Sequence, residues 1–311
     1  MYIGIDLGGT NIAAGLVSES GEILVQGSTP TMNERHIDEI IADMAKLINK
    51  LADDYGIAVS DIKGVGIGSP GSIDFKNGEV VYSNNLKMEH CKLADKLSAL
   101  VNLPVKVDND ANCAAMGEYI ATGDGAENYV FITLGTGVGS GLIINGKMVR
   151  GFNGAGGEAG HSVIVTDGEA CTCGRKGCWE AYASVTALIR QTKEAMEKNP
   201  SSLMHEFAEK EGKVSGRTAF DAAKAGDEAA LEVVNQYAVY VAEGITNLVN
   251  IFQPEVVAIG GGISREGDYL LNPVREFVAK NDYNKYMAKT KIVTAKLFND
   301  AGIIGAAMIA K

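Results

Sequence analysis

Tyr2-Ile3-Gly4-Ile5-Asp6, then Leu7-Gly8-Gly9-Thr10-Asn11, then Ile12-Ala13-Ala14-Gly15-Leu16-Val17 read as a strand, a glycine-rich turn and a returning strand. The hairpin tip carries chemistry. Asp6 puts a carboxylate at a strand end, Gly8 and Gly9 let backbone N–H groups come close to a phosphate, and Thr10 and Asn11 add side-chain donors. An ordinary glycine hairpin would read the same way. The plan returns at residues 129–144, where Tyr-Val-Phe-Ile-Thr leads through Gly135-Thr136-Gly137-Val138-Gly139 into a second apolar strand. Two such loops, half a chain apart, suggest two related domains that hold one phosphate chain between them, not a solenoid.

At 311 residues the chain suits two domains of ordinary size. Apolar residues make up 46 % and charged residues 22 %, so a sizeable core is available and disorder is not expected. A net charge of -11 disfavours nucleic acid as a partner, because that affinity comes from clustered Lys and Arg. The chain opens directly on a strand pattern without a basic leader, and no segment approaches a membrane span, so a cytoplasmic location is expected.

Between the hairpins, residues 37–52 have helical spacing, 62–67 and 105–107 read as strands, and 111–121 as a helix. Helices are expected near 184–197 and from 219 to 252, followed by a strand at 256–259 that opens onto Gly260-Gly261-Gly262. Residues 301–310 form a helix of small residues that should pack closely against something. This alternation argues for an α/β architecture. Two nucleotide motifs are decoys. Residues 141–147 resemble a P-loop, but Met148 stands where a metal-binding Ser or Thr belongs. Gly66, Gly68 and Gly71 match a dinucleotide fingerprint after a strand, yet no helix follows.

Asp108-Asn109-Asp110 lies at a strand-to-helix junction, where a carboxylate could take a proton from a hydroxyl; helix capping would use the same residues. Cys171, Cys173 and Cys178 cluster within eight positions, ten residues after His161. Three thiolates and one imidazole match tetrahedral zinc, and four protein ligands leave no open position, so the site reads as structural; buried free cysteines are the plainer alternative. A zinc clamp here would fix Glu158, His161 and Glu180 relative to one another, as sugar hydroxyls require of their acceptors.

Taken together, residues 6–10, Asn109-Asp110, the stretch 134–161 and the Cys-x-Cys-Gly-x-x-Gly-Cys-x-Glu segment ending at Glu180 resemble the repressor, open reading frame and sugar kinase (ROK) family, within it the bacterial glucokinase branch. The resemblance implies a two-domain α/β fold of the actin, hexokinase and Hsp70 type (ribonuclease H-like), with ATP and sugar meeting in an interdomain cleft. The repeat places the domain boundary between 1–113 and 114–298, and the resemblance implies that 299–311 returns to the first domain. It implies an ATP-dependent hexose kinase acting on glucose, with Asp110 as catalytic base and Asn109, Asp110, Glu158, His161 and Glu180 holding the sugar. His161, Cys171, Cys173 and Cys178 would bind Zn²⁺; Gly8, Gly9, Thr10, Asn11, Thr136 and Gly137 the phosphates; Gly261 and Gly262 the adenosine; and Asp6 would sit near Mg²⁺ through water. Relatives are commonly homodimers or homotetramers. Lys87-Met88-Glu89-His90 replaces an aromatic that many relatives carry, which leaves N-acetylmannosamine, N-acetylglucosamine or fructose as alternative acceptors. A silent sugar sensor is the non-enzymatic alternative, while a DNA-binding repressor is not expected.

Overall fold

The computed structural model describes residues 1–311. The chain divides into two compact units, residues 1–126 with 141–157 and 296–311, and residues 127–140 with 158–295.

In the first unit β1 (Tyr2–Leu7), β2 (Asn11–Val17) and β3 (Ile23–Pro30) form an antiparallel meander. α1 (Ile37–Tyr55) lays Ile40, Ile41, Met44, Ile48 and Leu51 on its buried face and is closed by Gly56 in the left-handed conformation. β4 (Val65–Ser69) adds parallel to β1, and β8 (Val105–Asn109) parallel to β4, for a sheet order β3-β2-β1-β4-β8. Between them β5 (Ser72–Asp74), β6 (Glu79–Ser83) and β7 (Met88–Cys91) make a small antiparallel sheet that the pattern reading did not anticipate, followed by α2 (Leu93–Val101).

α3 (Asp110–Thr122) leaves β8 without a loop. A domain break after residue 113 would fall inside this helix, and the first unit instead continues to Ala126 and takes in residues 141–157 as well. The small-residue helix finds its contact here. α10 (Asp300–Ala310) fits against β1, β4 and α3 because glycines on both sides leave room: a Cβ on Gly4, Gly66 or Gly305 would lie 1.8, 1.7 or 1.6 Å from a backbone oxygen. The Gly66 and Gly68 of the dinucleotide decoy are thereby explained as packing positions, Gly66 under α10 and Gly68 against Cys113 of α3.

The second sheet has the order β11-β10-β9-β12-β13, from β9 (Tyr129–Leu134), β10 (Val138–Ile144), β11 (Lys147–Met148), β12 (Val256–Gly260) and β13 (Lys291–Thr294). β9, β12 and β13 run parallel, as β1, β4 and β8 do, so both sheets follow one plan. The second unit adds α4 (Glu180–Ala183), α5 (Val185–Lys198), α6 (Met204–Glu211), α7 (Thr218–Lys224), α8 (Glu228–Phe252) and α9 (Asp268–Asn281). The single helix expected over 219–252 is two. Gly226 adopts φ +94° and Asp227 caps α8 by accepting the Ala230 N–H, so the chain turns between α7 and α8. Trp179 is fully buried and packs on Gly244 of α8. No helix is long and apolar enough to cross a membrane.

Candidate active site

The first unit gathers three carboxylates at the ends of its parallel strands. Asp6, Gly68 and Asp108 lie in one row of the β1-β4-β8 ladder, and Asn109 and Asp110 follow where β8 becomes α3. Asn109 is the N-cap; its side-chain oxygen accepts the Ala111 N–H at 2.9 Å and the Asn112 N–H at 3.3 Å. The capping reading therefore holds for Asn109, and Asp110 stands in the first turn of α3, where the helix dipole favours a negative charge. Burial pushes the Asp110 carboxyl above its ordinary range, against the Ala111 N–H that holds it down. Burial, then the charge of Asp110, raise Asp6 to about 6. The two carboxyls thus feel one another, an arrangement that a cation would relieve. Asp108, with its side chain 4 % exposed, takes both Nε and a terminal nitrogen of Arg150 at 2.7 and 2.6 Å.

The loop between β1 and β2 is tight: the Gly8 N–H donates to the Asn11 carbonyl at 3.0 Å, and Thr31 clasps its back by donating to the Gly8 carbonyl. Gly9 lies at the tip, and Thr10 and Asn11 are exposed. The matching loop of the second unit closes through Gly135 N–H to the Gly137 carbonyl. Thr136 is exposed, and the loop is tied to α5 by the Val185 N–H on the Gly135 carbonyl and by Thr186 on the Thr136 carbonyl. Val185 also lines a cavity of about 630 Å³ with Ser215, Gly216, Arg217, Gly262 and Ile263. Gly261 turns the chain at the cavity's edge with φ +85°, where any side chain would strike the Leu134 carbonyl; Gly262 faces open space.

His161, Cys171, Cys173 and Cys178 converge in the second unit, all four donor atoms lying within 4.8 Å of one another. His161 Nδ1 stands 3.6 Å from Cys171 Sγ, and Cys173 Sγ stands 3.6 Å from Cys178 Sγ. Tetrahedral ligation with Zn–S of about 2.3 Å and Zn–N of about 2.0 Å puts neighbouring donors about 3.5 to 3.8 Å apart, so the spacing is compatible with structural zinc. Burial and the neighbouring sulfurs push the Cys178 thiol up to about 12, whereas the Arg175 N–H lowers Cys173. A bound cation is what would hold all three as thiolates. Glu180 reaches this cluster and the phosphate-type loop together: Oε1 accepts from Thr172 at 3.3 Å, and Oε2 accepts the Val138 N–H at 3.0 Å. A Cβ on Gly137 would fall 2.3 Å from Glu180 Oε2, so a side chain there would push the Glu180 carboxylate aside. Glu158 is exposed, and its carbonyl accepts the His161 N–H one turn on.

The structure thus brings Asp6, Asn109 and Asp110 together in one unit, and Thr136, Gly137, His161, the three cysteines and Glu180 together in the other. Sequence reasoning missed Arg150 and the cavity walls Val185, Ser215 and Arg217. Arg150 opens a glycine-rich stretch, residues 151–157, and that was its signal.

The glucokinase of Halalkalibacterium halodurans is 38 % identical over 312 residues, covering 100 % of this chain and 94 % of its own. That of Thermotoga maritima is 40 % identical over 311 residues, covering 99 % and 96 %. A crystal structure of a ROK family glucokinase from Streptomyces griseus, in complex with glucose and AMPPNP, matches with a TM-score of 0.83 at 35 % identity, over 99 % of this chain and 98 % of that one. The fold is the mixed α/β fold of the actin and hexokinase type that ROK sugar kinases share. The ROK family model matches residues 2–311, and the chain belongs to the ROK family, in its bacterial glucokinase branch.

Proposed function

We propose that this protein is an ATP-dependent hexose kinase that converts glucose to glucose 6-phosphate, with Asp110 as general base. The observation that carries the reading is the half-buried Asp110 carboxyl, raised above its ordinary range beside the Asn109 cap, in a chain 38 % and 40 % identical to two glucokinases along its length. A carboxyl raised by burial is a stronger base toward a sugar hydroxyl than one in water, and such a base is worth about 10² to 10⁴ in rate. Asn109, Asp110, Glu158, His161 and Glu180 are the residues that would hold the sugar hydroxyls. The 2.8 Å tie of Val185 to Gly135 supports one path for the nucleotide, with adenosine at Gly261, Gly262 and their cavity and phosphates on Thr136 and Gly137. Gly8, Gly9, Thr10 and Asn11 complete the phosphate contacts.

Mg²⁺ supplies charge neutralisation of the transferring phosphoryl group when bound. Asp6 fits that neighbourhood, since a cation would stabilise its ionised form. His161, Cys171, Cys173 and Cys178 would hold Zn²⁺, which supplies rigidity and no open coordination position. His161 presents Nδ1 to the sulfurs, and this leaves Nε2 for a hydroxyl. Glu180 hydrogen-bonds both Thr172 of the cysteine loop and the Val138 N–H, so it couples the clamp to the phosphate-type loop. In this reading the enzyme works in the cytoplasm as a homodimer or homotetramer, which light scattering checks.

ADP release from Mg²⁺-ATP with glucose, N-acetylmannosamine, N-acetylglucosamine and fructose tests the proposal. Turnover with glucose is expected. Preference for another sugar keeps the chemistry and moves the substrate, and silence across the panel with retained sugar binding supports the sensor.

A further inference from the structure

Arg150 belongs to no motif of sugar or phosphate binding, yet it is built into the ground beneath the base. Both Nε and a terminal nitrogen reach one oxygen of Asp108, at 2.7 and 2.6 Å, and the guanidinium lies 4.9 Å from the Phe75 ring. The other Asp108 oxygen accepts the Asn109 N–H at 2.8 Å and the Asn112 side-chain amide at 3.0 Å. Asn112 is itself buried on the first turn of α3. Asp108 therefore holds the cap residue by its backbone and the helix by its first turn. A buried carboxylate keeps such a posture only while its charge is matched. Arg150 is the cation that matches it.

We propose that Arg150 is a positioning residue for phosphoryl transfer, holding the Asp108 carboxylate and through it the Asn109-Asp110 turn in the geometry the base needs. The inference rests on the kinase reading for its catalytic part, and on hydrogen bonds alone for the structural link. Without Arg150 the Asp108 carboxylate loses the partner of its buried charge and must rotate or draw in water, and either movement releases Asn109 or Asn112. A displacement of about 1 Å at such a site can cost about 10²-fold in rate.

Arg150→Met should lower kcat by about 10²-fold and raise the glucose KM, with the ATP KM changed less than about twofold, because adenosine and phosphates rest on other residues. Arg150→Lys should fall between Met and wild type. Asp108→Asn placed in the Arg150→Met background should recover about tenfold or more, since a neutral amide needs no counter-cation and still accepts from Asn109. Hydrogen exchange at Ala111 and Asn112 should quicken in Arg150→Met and slow again in the double variant. A kcat for Arg150→Met within about threefold of wild type, or no recovery in the double variant, overturns the proposal. Unchanged exchange at Ala111 and Asn112 overturns the structural link by itself. A wild-type enzyme silent toward every sugar refutes the kinase reading and with it any catalytic role for Arg150, whereas the exchange result then still decides the link to Asp108.

Discussion

Replacing Asp6 by Asn should stabilise the protein at neutral pH while impairing it as an enzyme. Asp6 has a folded value of about 6 against an ordinary 3.8, raised by burial and by the Asp110 charge. The sign is opposite to that of a salt-bridged carboxylate. The folded state binds the proton more tightly, so the contribution is fully present below pH 3.8 and is lost as pH rises through about 6. The interval between those values, at about 1.4 kcal/mol per pH unit, makes the ionised side chain cost about 3 kcal/mol above pH 7. Asn is nearly isosteric and carries no charge, so the variant should recover up to about 3 kcal/mol at pH 7.5 and almost nothing at pH 4. Differential scanning calorimetry of both proteins across that range, without Mg²⁺ or nucleotide, reads the difference. Turnover with Mg²⁺-ATP should fall, as expected where a strained site is kept for function. A variant less stable than wild type at pH 7.5, or a difference independent of pH, would refute the reasoning.

Purified protein should contain one Zn²⁺ per chain by elemental analysis. Cys173→Ser should lose it and raise the glucose KM by a larger factor than the ATP KM, because the clamp holds His161 and Glu180; a metal-free wild type of full activity would count against this. Gly305→Ala should destabilise despite the gain of about 1 kcal/mol in helix propensity. Its Cβ would lie 1.6 Å from the Cys113 carbonyl, a backbone contact that no rotamer relieves, so a net loss of about 1 to 3 kcal/mol is expected in urea unfolding of the first unit.

What could be read in the sequence was local. The two hairpins announced themselves through glycines at strand ends, and the cysteine cluster through spacing that few other chemistries need; the structure places those four donors within 4.8 Å. The Asn109 cap was equally visible, because capping acts over three residues. Pairings over longer separations left no pattern. Arg150 meets Asp108 across 42 positions, and Glu180 meets the Val138 N–H across the same distance. The break between α7 and α8 was passed over because residues 219–252 are apolar at helical spacing on both sides of it, although Gly226 and the capping Asp227 mark the turn. Gly66 and Gly68 imitated a nucleotide motif because close helix packing and close phosphate approach demand the same missing side chain.

The most direct test of the central claim is kcat for glucose phosphorylation by Asp110→Asn, measured beside glucose affinity by calorimetry. The account predicts that turnover falls by about 10²-fold or more while glucose still binds within a few-fold of wild type, since Asn109, Glu158, His161 and Glu180 remain. Turnover within about tenfold of wild type would contradict Asp110 as the base and require another group to take the hydroxyl proton.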